Sequence, residues 1–162
     1  MNIIIRQAQL DDLDRITFVE STCFPQTEAA NKTQFQQRLL TFKESFFVAE
    51  HYNQIIGFIN GAVIDEPTIS DILFKQADLH KPSGTYQTIF GLDIMPDYRH
   101  QGIAIKLMNH MIDYAKSTKR KGVILTCKEN LIPFYNQFGY VNHGISESIH
   151  GGAIWYDMIL LF

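Results

Sequence analysis

The sequence predicts an α/β (α+β) fold: a mixed, mostly antiparallel sheet, one parallel strand pair, and helices on both faces. Three observations carry this expectation. Strand-like and helix-like runs follow one another in the order β-α-α-β-β-β-α-β-α-β-β. A strand, a helix and a strand between Tyr86 and Cys127 make a βαβ unit, with parallel strands and a right-handed crossover. The 162 residues are 46% hydrophobic and 12% aromatic, enough to bury a substantial core in one domain, 1–162.

Asn2–Gln7 reads as the first strand. Asp11, followed by Asp12 and Asp14, opens a helix through Cys23, because acids in the first turn suit the helix dipole. Pro25 breaks that helix, and a second runs from Glu28 to Phe42. Ser45–Glu50 and Gln54–Ile64 are strands joined by a turn at His51–Asn53. Asp65–Gly84 is irregular, punctuated by Pro67, Pro82 and Gly84, with a short helix expected near Ser70–Leu79. Tyr86–Met95 is a strand, and His100–Ser117 is a helix with Ile103, Leu107, Met111 and Tyr114 at helical spacing. Gly122–Cys127 is a buried strand, Asn130–Phe138 a short helix, and Gly139–Ser146 and Ala153–Leu161 two closing strands. The last strand is a candidate for pairing across a homodimer, so monomer and homodimer both stay open.

Fourteen basic and 17 acidic residues leave a net charge of −3, which gives no electrostatic case for a nucleic-acid partner. Cys23 and Cys127 are far apart and read as free thiols in a reducing, cytoplasmic setting. The start MNIIIRQAQLDDLD is not expected to be a secretory signal, since its apolar run is only Ile3–Ile5. No run approaches the ~20 apolar residues of a membrane span, so no membrane partner is expected. His51, His80, His110, His143 and His150 lack the spacing that sets two ligands on one helix face, so no metal is expected.

The chemistry points to Tyr98–Lys106, YRHQGIAIK, where the strand TIFGLDIM turns into a helix. A helix that starts there leaves backbone N–H groups without partners, with a partial positive charge that suits a phosphate. Gly102 admits close approach to the backbone, Ala104 keeps the next position small, and Arg99, His100, Gln101 and Lys106 add donors or charge. A glycine at such a turn is also common for backbone reasons alone. Arg99-x-x-Gly102-x-Ala104 gains meaning from the strand before it, the helix after it and Pro96 opening the turn. Neither a dinucleotide fingerprint nor a Walker lysine pattern is present.

LDIMPDYRHQGIAIKLM resembles the acetyl-CoA-binding motif of the GCN5-related N-acetyltransferases (GNAT), whose turn runs Gln/Arg-x-x-Gly-x-Gly/Ala. LTCKENLIPFYNQFGY is similar to that family's late helix, with a Tyr shortly before Gly-Phe or Gly-Tyr. LHKPSG, CKENLIPFYNQFGY and HGISESIHGGAIWYDMIL most resemble the serotonin-type arylalkylamine N-acetyltransferases. The resemblance implies a GNAT-like sheet whose central parallel pair splays at a β-bulge, where unpaired backbone groups at Leu92, Asp93 and Ile94 hold the pantetheine arm. It assigns the pyrophosphate to the backbone of His100, Gln101, Gly102, Ile103, Ala104 and Ile105. It implies acetyl-CoA as co-substrate and an amine as acceptor. It makes Tyr135 the general acid for the leaving thiolate, and a backbone N–H of Leu92 or Ile94 the oxyanion donor. Tyr135 packed beside Phe134 and Phe138 is also explicable as an aromatic on a short helix.

Two departures from the family stand out. The strand histidines of the serotonin-type enzymes fall at Thr88 and Phe90 here, and neither can take a proton. Glu28, Asp93 and His143 are the base candidates, or a water chain serves; Asp93 is equally a structural strand acid, and Glu28 a helix N-terminal acid. Lys128 stands where the family carries an Asn, with Asn130 as a stand-in for contact to the cofactor arm. The acceptor site is expected from Cys23–Asn31, the Asp65–Gly84 loop and Gly144–Gly152. Phe24, Pro25, Phe74, Ile149 and Trp155 would supply apolar surface, and Glu28, Asp65, Glu66 and Asp71 would attract an ammonium. The acceptor is then a small amine, aromatic amines included. A protein N-terminus or lysine, and a non-catalytic acyl-CoA sensor, are the alternatives.

Overall fold

The chain runs β1 (Ile4–Gln7), α1 (Leu13–Cys23), α2 (Lys32–Phe42), β2 (Phe46–His51), β3 (Gln54–Asn60), β4 (Val63–Ile64), β5 (Tyr86–Ile89), β6 (Gly91–Ile94), α3 (Ile103–Ser117), β7 (Gly122–Cys127), α4 (Ile132–Asn136), β8 (Val141–Ile145) and β9 (Tyr156–Leu161). This is a computed structural model describing residues 1–162. The strands form two sheets: β1-β2-β3-β6, antiparallel throughout, and β4-β5-β7-β9-β8, in which β5 and β7 are parallel. The βαβ unit is therefore present as the sequence predicts.

Two expected strands are each broken in two, at matching places. Gln54–Ile64 divides into β3 and β4 around Gly61, and Tyr86–Met95 divides into β5 and β6 at Phe90. Asn60 faces Gly91 in register, while its carbonyl also accepts the Phe90 N–H at 2.7 Å. Two residues therefore oppose one, which is a β-bulge. Gly61 is required at the break, because a Cβ there would lie 1.8 Å from the Thr88 carbonyl oxygen. Beyond the bulge β6 follows β3, while β5 stays on β7, and the sheet opens between them.

Alternation along β2, and along β3 with its phase shifted at the bulge where Ala49 and Glu50 face Gly57 and Ile55, builds a core on each face of the first sheet. Phe46, Val48, Ile55 and Phe58 pack with Ile16, Val19, Phe35 and Leu39 of α1 and α2. Phe47, Ala49, Ile56 and Ile59 pack with Leu107, Met108, Met111 and Ala115 of α3. Helices thus cover both faces.

Four expectations are corrected. Helix α2 starts at Lys32, where Asn31 and Gln34 close a capping box, so Glu28 lies in the preceding turn and is no helix acid. The segment near Ser70–Leu79 holds two 3-10 turns, Asp71–Phe74 and Ala77–Leu79, rather than a short helix. Helix α3 starts at Ile103, because His100 and Gly102 both have positive φ. The last strand is interior, paired with β7 on one side and β8 on the other, and has no edge to offer a second copy.

Candidate active site

The opening between β6 and β7 makes a slot. The Met95 N–H donates to the Ile56 carbonyl at 2.8 Å, and the register pairs Asp93 with Phe58. Alternation of an antiparallel ladder then turns the backbone groups of Asp93 towards β3, and those of Leu92 and Ile94 to the open edge. The Ile94 carbonyl is taken there by Arg99 Nε at 2.9 Å and Cys23 Sγ at 3.3 Å. Arg99 therefore ties the turn to the strand end.

The turn continues the slot. His100 has φ +63° and Gly102 φ +82°, and a Cβ at Gly102 would meet nothing within 4 Å. The first helical bond of α3 is from the Lys106 N–H to the Gly102 carbonyl, and no acid lies in the first turn. The N–H groups of Ile103, Ala104 and Ile105 thus point out of the helix without intrahelical partners. Leu92, Asp93, Ile94, Arg99, His100, Gly102, Ile103, Ala104, Ile105, Asn130 and Tyr135 all line this one groove. Gln101 does not line it; its side-chain amide donates to the Asp97 carbonyl at 3.3 Å.

A second, inner cavity meets the groove at Tyr135, Leu92, Phe24, Glu28, Leu131 and Trp155. Tyr135 is 8% exposed, its ring set edge-on to Phe134 and Tyr140 at 5.0 and 5.8 Å between centroids. Burial, then the nearby Cys127 and Asp93, push its phenol pKa well up, so it keeps its proton.

Glu28 stands at the mouth. Its carboxylate pairs with Lys128 at 2.8 Å, and Lys128 lies over the Trp155 ring at 5.6 Å. Glu28 Oε1 is buried without a partner. His150 Nε2 donates to the Glu28 carbonyl at 2.8 Å, and Trp155 Nε1 donates to the His150 carbonyl at 2.8 Å. Asp71 accepts from Ser148 Oγ and from the Ile149 N–H, which straps the late loop to the first 3-10 turn. Phe74 and Trp155 line the inner cavity and Pro25 the groove, whereas Asp65, Glu66, Asp71, His143 and Ile149 line neither. Asp65 pairs with Lys81 at 3.0 Å instead.

Sequence reasoning named Asp93 but missed the buried polar side chains around it, of which Glu20 and Arg38 line the inner cavity. Glu20, Arg38, Asn60 and Asp93 are all at least nine-tenths buried. Arg38 donates to Asn60 Oδ1 at 3.1 Å and to the Phe74 carbonyl at 3.0 Å, and Glu20 Oε2 accepts from the Ala30 N–H at 2.8 Å. Burial pushes Arg38 down to about 10, against the pull of Glu20 and Asp93. Burial, and then Glu20, raise the Asp93 carboxyl well above the usual carboxylate range. A signal existed: Glu20 sits on the stripe Leu13, Ile16, Val19, and Arg38 on the stripe Phe35, Leu39, Phe42, both facing the core. No group of three His, Cys, Asp or Glu side chains is placed to hold a metal ion. No helix is long and apolar enough to cross a membrane.

The acetyltransferase (GNAT) family model matches residues 9–140. The chain is 28% identical over 145 residues to the probable hydrolase YhcX of Bacillus subtilis, a match covering 84% of this chain and 27% of that protein. It is 27% identical over 122 residues to the uncharacterized N-acetyltransferase YkwB of the same organism, covering 68% and 54%. The chain thus spans roughly a quarter to a half of the length of the curated relatives it matches. Among solved structures, the loading GNATL domain of CurA from Lyngbya majuscula has a TM-score of 0.87 at 15% identity, over 99% of this chain and 98% of that one. The GphF GNAT-like decarboxylase in complex with isobutyryl-CoA has a TM-score of 0.80 at 19% identity, over 98% of each. Naa50 of Arabidopsis thaliana, in complex with a bisubstrate analogue, has a TM-score of 0.76 at 18% identity, over 100% of both. At these identities the likeness is one of fold, and the mixed sheet with its splayed parallel pair is the fold expected.

Proposed function

The chain belongs to the acetyltransferase (GNAT) family, and from that premise we propose that it transfers an acetyl group from acetyl-CoA to a small primary amine. The observation that carries this reading is the junction at Tyr135, where the groove beside β6 meets a cavity lined by aromatics and by the acids Glu20 and Glu28. The slot suits the co-substrate: Leu92 and Ile94 turn backbone groups to an unpaired strand edge, and the space above Gly102 is empty. Acetyl-CoA, when bound, supplies the activated thioester.

The residues of the chain take the remaining roles. The backbone of Leu92 and the N–H of Ile94, whose carbonyl is taken by Arg99 and Cys23, hold the pantetheine arm as an added strand would, and the N–H groups of Gly102 to Ile105 take the pyrophosphate. Asn130, at the groove wall, stands in for the family's Asn, since Lys128 is engaged with Glu28. The Leu92 or Ile94 N–H stabilises the oxyanion. Tyr135 gives its proton to the departing sulfur as it takes one from the attacking nitrogen, so no buried phenolate accumulates. Glu28, paired through one oxygen with Lys128, offers its free oxygen to the incoming ammonium, and Phe24, Phe74 and Trp155 offer the walls an arylalkylamine needs.

Thiol release from acetyl-CoA across a panel of amines tests the reading. The panel holds tryptamine, phenethylamine, polyamines, an aminoglycoside and short peptides. Release with arylalkylamines is the expected result. Release with peptides alone would move the acceptor to a protein amine. Acetyl-CoA binding with no release from any amine would leave a sensor and defeat the enzymatic reading.

A further inference from the structure

We propose that Glu20 and Asp93, brought together behind Gly91 with Glu20 lining the inner cavity and Asp93 the groove that meets it, act as one proton acceptor that makes the amine nucleophilic. This rests on the acetyltransferase reading and supplies the base that Thr88 and Phe90 cannot. The two carboxyls come from α1 and β6 and are 7% and 1% exposed. Gly91 lies two residues before Asp93, on the same face of β6, and lines the cavity. A Cβ at Gly91 would sit 3.3 Å from Asp93 Oδ1, 3.5 Å from Asn60 Nδ2 and 3.9 Å from Glu20 Oε1. Those three atoms are also ones that find no partner in the protein. Three unpaired polar atoms therefore converge where a side chain is missing, and Gly91 is the window between them and the cavity.

The electrostatics suit a base. Asp93 faces Glu20 and Cys23 of α1, Arg38 of α2, Asn60 of β3 and Tyr135 of α4, and Arg38 is the one cation among them. With both carboxylates ionised the cluster carries one net negative charge; with one proton between them it is neutral. Two crowded carboxylates in a dry site bind that proton far more strongly than one exposed carboxylate does. Glu28, by contrast, is already engaged by Lys128 at 2.8 Å.

The proton ledger closes. An ammonium N–H bond breaks, its electron pair stays on nitrogen, and the proton goes to the Glu20–Asp93 pair. Nitrogen then forms the C–N bond as the C–S bond breaks. Sulfur takes its proton from Tyr135, and Tyr135 takes the second proton from nitrogen. The pair later releases its proton to solvent.

The test compares two acceptors in the full chain: phenethylamine, an ammonium at neutral pH, and trifluoroethylamine, largely neutral already. Asp93→Asn, Glu20→Gln and Gly91→Ala are each expected to lower kcat/KM for phenethylamine by about 10²–10⁴-fold, and for trifluoroethylamine by roughly tenfold or less. The acid limb of the wild-type phenethylamine profile, which reports the pair, is expected to move up to the amine's own titration in Asp93→Asn, while that of trifluoroethylamine stays in place. Equal losses for both amines would overturn the proposal and leave the cluster a structural one. Gly91→Ala keeps both carboxyls, so the result stands even if a carboxyl variant fails to fold. Infrared spectroscopy without acetyl-CoA gives a readout apart from turnover. A protonated-carboxyl band that grows when phenethylamine is added, and does not do so in Asp93→Asn, is expected; a carboxyl spectrum indifferent to amine would overturn the proposal. A wild type that releases no thiol with any amine defeats the acetyltransferase reading, and the infrared result still decides whether the pair meets amines.

Discussion

Replacing Tyr135 by Phe removes one oxygen and leaves the edge contacts with Phe134 and Tyr140 in place. Turnover is expected to fall by about 10²–10⁴-fold while the acetyl-CoA Kd stays within about twofold. Unchanged kcat would remove Tyr135 from the chemistry. Asp93 makes a second prediction, through pH. Its folded pKa is raised, so the fold favours its protonated form. That contribution is fully present below the unfolded value of about 3.9 and is lost as pH rises through the folded value. Asn cannot ionise, so the Tm of Asp93→Asn minus that of the wild type is expected to climb with pH from about 4 upwards. A pH-independent difference in melting scans would contradict it. These residues were unequally legible in the sequence. Gly102 and Tyr135 stand in local patterns whose spacing carries their meaning. Glu20 and Arg38 are 18 positions apart on different helices, and only the packing of α1 against α2 makes them neighbours.

Strand β6 is paired on one side only, and that sets an expectation for its amides. In hydrogen exchange, the Asp93 N–H is slow with or without ligand, whereas Leu92 and Ile94 exchange quickly alone and slow down with acetyl-CoA. Equal protection of all three in the free protein would mean that the edge is already closed. The elements themselves were read well where a hydrophobic period defined them, as in α3 and β7. The two breaks were invisible because the apolar pattern runs on through Gly61 and Phe90 without a gap. What divides those strands is contact across the sheet: the Gly61 backbone against Thr88, and two residues of one strand facing Asn60. The start of α2 was placed too early for the opposite reason, since Asn31 and Gln34 signal it plainly but Glu28 looked like a first-turn acid.

At the scale of the whole molecule, the last strand is the keystone of the second sheet. Met158 is fully buried, and β9 is the shared neighbour of β7 and β8. Deleting Tyr156–Phe162 is expected to abolish cooperative unfolding, read by circular dichroism during a thermal scan, because β7 loses a neighbour and β8 its only one. Sequence could place this strand last but not in the middle, since order in the chain does not give order in a sheet. Gly61 has a further consequence. Its missing side chain lets the backbones approach so closely that the fault in the sheet is built into the covalent chain, and no ligand has to pry it open. A standing fissure has no door. Encounter with acetyl-CoA is then limited by diffusion and orientation, and in stopped-flow mixing the observed association rate is expected to rise in proportion to concentration without reaching a plateau.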